Sequence, residues 1–172
     1  YKEALRLSAD SSILINKRLK KLMDDIAKAK NNSNLKALAD EFPKGFALFH
    51  AVCQTCHGTD GNGVNGLAPP LNNSNWVQGD KNKLISIVLY GLSGPIKVAG
   101  KEYKAPEVSR EMPGIGTNKD FSDEDIAQVL SFIRGSWSNR ADKIKEGDVV
   151  NIRKALKDRQ KSFTEEELNK SK

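Results

Sequence analysis

The stretch Gly45-Phe46-Ala47-Leu48-Phe49-His50-Ala51-Val52-Cys53-Gln54-Thr55-Cys56-His57-Gly58 decides how the rest of the chain is read. Its last third, Cys53-Gln54-Thr55-Cys56-His57, is a C-x-x-C-H motif, the attachment signature of c-type haem. The spacing has a chemical reason. Two thiols three positions apart at the end of a helix can add to the two vinyl groups on one edge of a porphyrin. The histidine one residue further on then lies beneath the iron as proximal ligand. Three other readings compete. A structural disulfide across two residues ignores the adjacent His57. A thioredoxin-like redox pair wants a βαβ surrounding, and none is visible. A zinc site would draw on His50, Cys53, Cys56 and His57, but structural zinc takes its ligands from two separated pairs.

Working outward, Pro43 can open the helix that carries this motif, because the first turn does not need its missing N–H. That helix is expected to run to about Val52. Upstream, Ile15, Leu19, Leu22 and Ile26 recur at helical spacing among lysines, which predicts an amphipathic helix over roughly 11–30. Asn31-Asn32-Ser33-Asn34 is expected to break it, and Leu35, Leu38 and Ala39 read as a short second helix. Downstream, Asp80 is a plausible N-cap for a helix bearing Leu84, Ile85, Val88 and Leu89, with Gly91 as its stop. Ser122 and Asp125 resemble a capping box. They open a helix with Ile126, Val129, Leu130, Ile133 and Trp137. Val149, Ile152 and Leu156 predict one more helix, and Thr164-Glu165-Glu166-Glu167 a last turn. No convincing strand alternation or internal repeat stands out, beyond a small hairpin around Gly100. The chain reads as all-α.

Two central stretches, Gly58 to Gly79 and residues 91–120, read as long loops. Such loops are uncommon in a compact domain and are tolerable when they wrap a non-protein core. The second contains Arg110-Glu111-Met112-Pro113-Gly114. An isolated apolar side chain in a glycine-rich loop needs something to face, and iron answers that need. Thioether sulfur is a soft ligand, and His/Met pairing raises the haem potential. Met112 is therefore the expected sixth ligand. Met23 lies on the apolar side of the N-terminal helix and reads as core filler. His50, one turn before Cys53, reads as a surface or inter-helix histidine.

The composition fits this picture. Among 172 residues only 6% are aromatic and 38% hydrophobic, a thin supply for a core unless a porphyrin completes it. The formal net charge is +6, but it is uneven. Residues 1–42 hold nine basic and six acidic side chains, 43–138 nine of each, and 139–172 ten and seven. The excess belongs to the flanks, and it is too interleaved with acids to argue for nucleic acid. No apolar run approaches a membrane span. No signal-peptide pattern appears at Tyr1, so the sequence is expected to be a mature chain or an excised piece.

With these residues in view, the chain resembles the class I cytochromes c. Gly45-x-x-x-Phe49-x-x-x-Cys53-x-x-Cys56-His57-Gly58 matches that family's N-terminal helix position by position. The resemblance implies an all-α class I cytochrome c fold wrapped around one covalent haem c, held through Cys53 and Cys56. It implies that Gly45 lets the C-terminal helix cross closely and that Phe49, Phe132 and Trp137 pack at the crossing. It also implies that Pro69, or its neighbour Pro70, accepts the Nδ1 proton of His57 through its carbonyl, fixing the ring. Pocket candidates of less specific kind are Trp76, Tyr103 and Arg110. Each is a possible propionate partner with a packing or surface role as its alternative. The order Gly91-Leu92-Ser93-Gly94-Pro95-Ile96, Gly100, Tyr103, Met112-Pro113-Gly114 resembles cytochrome domains attached to or partnered with bacterial periplasmic dehydrogenases, including quinoprotein sugar or alcohol dehydrogenases.

The resemblance covers residues 43–138. It divides the chain into a helical N-terminal extension (1–42), a cytochrome domain (43–138) and a helical C-terminal extension (139–172), the flanks resembling connecting segments of a larger multidomain protein. The implied function is electron transfer rather than catalysis. Electrons are expected to come from a dehydrogenase donor, fused or separate, and to pass to a further cytochrome or oxidase in the periplasm or another extracytoplasmic space. The alternative is a haem enzyme or gas sensor whose sixth site is open or labile. The basic amphipathic flank is compatible with a membrane surface, but packing against the cytochrome or a neighbouring domain is the preferred expectation.

Overall fold

The structure is a computed structural model that describes residues 2–109 and 111–170, with side chains described from Asn16 onward. Helix α1 (Lys2–Glu41) is continuous, so Asn31-Asn32-Ser33-Asn34 does not break it. Asn is a weak helix former rather than a stop, and tertiary contacts hold this part in place. Asn34 Nδ2 donates to the carbonyl of Gly135 at 2.9 Å, and Leu35 and Leu38 pack against the core. Earlier along the same helix, among the described residues, the apolar stripe is uncovered. Leu19, Leu22, Met23 and Ile26 are 52%, 56%, 69% and 59% exposed. Met23, expected as core filler, is therefore at the surface, because this part of α1 stands clear of the buried core. Ile15 lies outside the described side chains.

Helix α2 (Pro43–Leu48) starts at Pro43 as the sequence suggests. It continues through a π-helical turn (Phe49–Cys53) into α3 (Gln54–His57), so the helical path reaches the motif's histidine instead of stopping near Val52. The wider π turn re-aims the residues that follow it. Gly58 ends the helix at φ 76°, a conformation in which a Cβ would be strained. Helix α4 (Asn75–Gln78) is capped by Ser74. Helix α5 (Lys81–Tyr90) is capped by Asp80, whose side chain accepts from the Asn82 amide, and stops at Gly91. Helix α6 (Asp123–Gly135) opens with the reciprocal Ser122–Asp125 capping box. Its C-terminus falls short of expectation: Trp137 lies beyond the helix at φ 54°. Helices α7 (Glu146–Ala155) and α8 (Glu165–Lys170) complete the chain. Thr164 and Glu167 exchange backbone-to-side-chain bonds at the start of α8.

The architecture is mostly helical with two small antiparallel ribbons. Strands β2 (Ile96–Val98) and β3 (Lys101–Tyr103) form the hairpin around Gly100. Strands β1 (Gly91–Ser93) and β4 (Glu111–Pro113) pair with Leu92 opposite Met112. That second pairing joins segments far apart in sequence and has no local signature.

The core forms where α2 and α6 cross. A Cβ on Gly45 would sit 2.3 Å from the Gln128 carbonyl oxygen, so the crossing distance requires glycine. Phe49, 1% exposed, meets the rings of Phe132 and Trp137 at 5.6 and 5.5 Å. Buried Arg134 satisfies the loop before α5 by donating to the carbonyls of Val77 and Gly79. The C-terminal segment, read from the sequence as an extension, packs into this body: Ile144, Val149, Phe163 and Leu168 are all buried.

Candidate functional site

A cleft of about 1010 Å³ of empty space, part of it open to solvent, lies between the C-x-x-C-H turn and the β1–β4 ribbon. One wall is Val52, Cys53, Cys56 and His57. Helices α5 and α6 add Leu84, Val88, Val129, Leu130 and Ile133, and the β1–β4 ribbon with the residues after it adds Leu92, Met112, Pro113 and Ile115. Among the described residues that line it there is no Asp, Glu, Lys or Arg. Such a surface stays wet only at a cost, and it suits a large apolar guest.

His57 is 7% exposed. Its Nδ1 lies 2.9 Å from the carbonyl oxygen of Pro69. A carbonyl only accepts, so Nδ1 carries the proton and Nε2 keeps its lone pair. Burial pushes the imidazolium pKa below its ordinary value, with the Pro69 bond opposing, which favours the neutral, ligating ring. The bond selects Pro69 over Pro70, although both prolines line the cleft. The loop that presents Pro69 is folded around Gly63. The Gly63 amide donates to the His57 carbonyl at 2.9 Å, and the Val64 and Ala68 amides close the turn.

Both thiols are free. Burial, with Cys56 adding to it, pushes the Cys53 thiol up to about 11. The helical path from Pro43 to His57 is not the βαβ surrounding of a thioredoxin-like pair. Nor are His50, Cys53, Cys56 and His57 gathered around one point. His50 Nδ1 lies 2.5 Å from Gln54 Oε1 and packs edge-on against Phe46. Among the described residues no three His, Cys, Asp or Glu side chains are grouped to hold a metal ion. What is gathered is a pair of thiols, one oriented imidazole and one thioether around an apolar cleft. That donor set fits a covalently attached haem.

The remaining candidates divide. Trp76 lines the cleft, but its indole N–H, expected to reach a propionate, donates to the Lys97 carbonyl at 2.8 Å. Tyr103 lies away from the cleft wall, packing with the cluster of Ile87, Leu92, Ile96 and Val98, with Lys101 Nζ 4.6 Å from its ring centroid. Arg110 lies outside the described residues. Sequence reasoning missed Leu92, which lines the cleft and is the register partner of Met112. The signal available was Gly91, whose positive φ turns the chain from α5 into β1.

Comparison with known proteins agrees with the site. The cytochrome c family model matches residues 42–137. Cytochrome c-552 of Thermus thermophilus is 30% identical over 128 residues, covering 71% of this chain and 89% of that protein. The gluconate 2-dehydrogenase cytochrome c subunit of Pantoea cypripedii is 35% identical over 121 residues, covering 67% of this chain and 25% of the subunit. The cytochrome c subunit of the quinone alcohol dehydrogenase of Gluconobacter oxydans is 32% identical over 98 residues, 56% of this chain and 19% of the subunit. The chain thus spans a quarter or less of those dehydrogenase subunits. By its motif, its cleft and the match over residues 42–137, the chain belongs to the cytochrome c family.

Proposed function

We propose that this chain is an electron-transfer module of class I type, with one haem c bonded through Cys53 and Cys56 and ligated by His57 and Met112. The observation that carries this reading is that all four side chains line one apolar cleft, with His57 already oriented by Pro69. When bound, the haem supplies a one-electron ferric/ferrous couple. The residues of the chain do the rest. Pro69 holds the proton at Nδ1, so Nε2 faces the task of ligation in a fixed tautomer. Met112, in β4 opposite Leu92, offers a soft sulfur to the same cleft. The aliphatic walls exclude water, which keeps the surroundings unchanged as the charge changes. Trp76 supplies its ring to the cleft, and the guanidinium fork of Arg110 suits a haem propionate.

A haem whose two axial positions are filled by His57 and Met112 leaves no position for a substrate, which favours a carrier over a haem enzyme. The electron donor is read as a dehydrogenase, on the same or a separate polypeptide, because relatives include subunits named for gluconate and quinone alcohol dehydrogenases. The acceptor is a further cytochrome or an oxidase. The function is read as periplasmic or otherwise extracytoplasmic, because covalent haem attachment would follow export. Among the described residues no helix is long and apolar enough to cross a membrane.

The test is the weak near-infrared thioether-to-iron band of the oxidised protein. It is expected in the wild type and absent in Met112→Ala. Its persistence in that variant would overturn the ligand assignment.

A further inference from the structure

The C-terminal segment touches the Met112 strand and its loop at several independent points. Phe163 joins the ribbon through a single parallel bridge to Leu92: its amide donates to the Gly91 carbonyl at 2.9 Å, and the Ser93 amide donates to the Phe163 carbonyl at 2.7 Å. Leu92 is thereby bracketed, with Met112 as its partner in β4 and Phe163 as its partner in the tail. Beside this, Ser162 Oγ donates to the carboxylate of Glu111 at 2.6 Å, one residue before Met112. At the loop's other end, Arg153 of α7 donates through Nη1 to the Gly116 carbonyl and through Nε to Asp123 Oδ1.

The tail is itself a built structure. The guanidinium of Arg159 lies 3.4 Å from the centroid of the Phe163 ring and donates to the Ser162 carbonyl. Phe163 and Leu168 are 5% and 1% exposed and share a cluster with Leu92, Ile96 and Val98, which line the cleft. Burying two large apolar side chains removes them from water and stabilises the tail on this body.

We infer that the segment 146–170 is a clasp that holds the Met112 strand against the cleft, with Phe163, Ser162 and Arg153 as positioning residues for the sulfur. The inference rests on Met112 being the sixth ligand. A loop closed only by its own turns would let the thioether swing out. A loop bonded at Glu111 and at Gly116 to a buried tail has little room to do so.

The test uses the haem-loaded full chain and two perturbations. One is the double variant Ser162→Ala/Arg153→Met, which leaves the buried Phe163 in place. The other is Phe163→Ala, paired with Phe163→Leu, which restores apolar bulk. The first readout is amide exchange at Ile115 and Gly116, which donate to Val88 and Leu89 of α5 rather than to the tail. Exchange there is expected to rise about tenfold, while Leu130 in α6 holds its rate. The second is the near-infrared band, expected to weaken in the double variant and in Phe163→Ala and to recover in Phe163→Leu. Unchanged exchange, exchange that rises in step with Leu130, or a band at full strength in both perturbed proteins overturns the clasp. A wild type without the band, indistinguishable from Met112→Ala, overturns the ligand reading itself and the clasp with it.

Discussion

The Pro69 carbonyl accepts the Nδ1 proton of His57 at 2.9 Å, and this one contact fixes which nitrogen of the ring is free. It joins the end of the helical path that begins at Pro43 to a loop with no regular secondary structure of its own. Gly63 makes the junction possible. It sits at φ 80°, and a Cβ there would lie 2.5 Å from the Ala68 carbonyl oxygen and 2.8 Å from the Pro69 carbonyl carbon.

Gly63→Ala is therefore expected to push the Pro69 carbonyl away from His57 and to destabilise the protein by about 2–4 kcal/mol, combining left-handed strain with backbone overlap. Guanidinium unfolding of the haem-loaded protein measures it. A midpoint within error of the wild type would mean that the loop does not bear on the ring.

Gly45→Ala tests the helix crossing. The added methyl would meet the Gln128 carbonyl at 2.3 Å and the Val129 amide nitrogen at 2.8 Å, both backbone atoms that do not rotate away. The helices must separate and the Phe49–Phe132 contact with them. The expected cost is about 3 kcal/mol, read as a lower unfolding midpoint.

Much of this was legible in particular residues. Cys53, Cys56 and His57 announce their chemistry by spacing, and Gly45 and Phe49 do so eight and four positions before Cys53. Asp80, Gly91, Ser122 and Asp125 are local punctuation, and each acts where expected because a cap needs only its own neighbours. What escaped is nonlocal. The pairing of Leu92 with Met112 and with Phe163 is written in backbone bonds between segments 20 and 71 residues apart. Asn31 to Asn34 looked like a break because the Gly135 carbonyl that Asn34 reaches lies 101 residues away. Trp137 looked helical because its spacing from Ile133 is right, yet Ser136 already ends the helix.

The N-terminal flank should be separable. Leu19, Leu22, Met23 and Ile26 are exposed, whereas among the described residues of α1 it is Asn34, Leu35 and Leu38 that reach the core. Deleting residues 1–30 is expected to change the unfolding free energy by less than about 0.5 kcal/mol. Deleting residues 157–172, which removes buried Phe163 and Leu168, is expected to cost about 3 kcal/mol or more. Equal losses from the two deletions would contradict the packing described.

Acid titration probes how α7 is anchored. Lys81 Nζ donates to Asp148 Oδ1 at 2.7 Å. That hydrogen bond first, and then the Lys145 amide, hold the carboxyl below its ordinary pKa, against a small desolvation effect. A depressed folded pKa means stability that is present above the unfolded value of about 3.9 and lost as pH falls through the folded one. Because Lys81 is 43% exposed, the contribution is at most about 0.5–1 kcal/mol. Asp148→Asn should lower stability by that amount at neutral pH. The gap to the wild type should close as the pH drops below the carboxyl's depressed pKa. A gap that stays constant into strong acid would assign the effect to packing.

Carbon monoxide binding to the ferrous protein tests the central claim most directly, because it asks whether the sixth site is closed. With His57 and Met112 both engaged and the Met112 strand paired to Leu92, the wild type is expected to show no spectral change on exposure to the gas, while Met112→Ala binds it readily. Prompt, stoichiometric binding by the wild type would contradict the account and assign the chain to the haem enzymes or gas sensors.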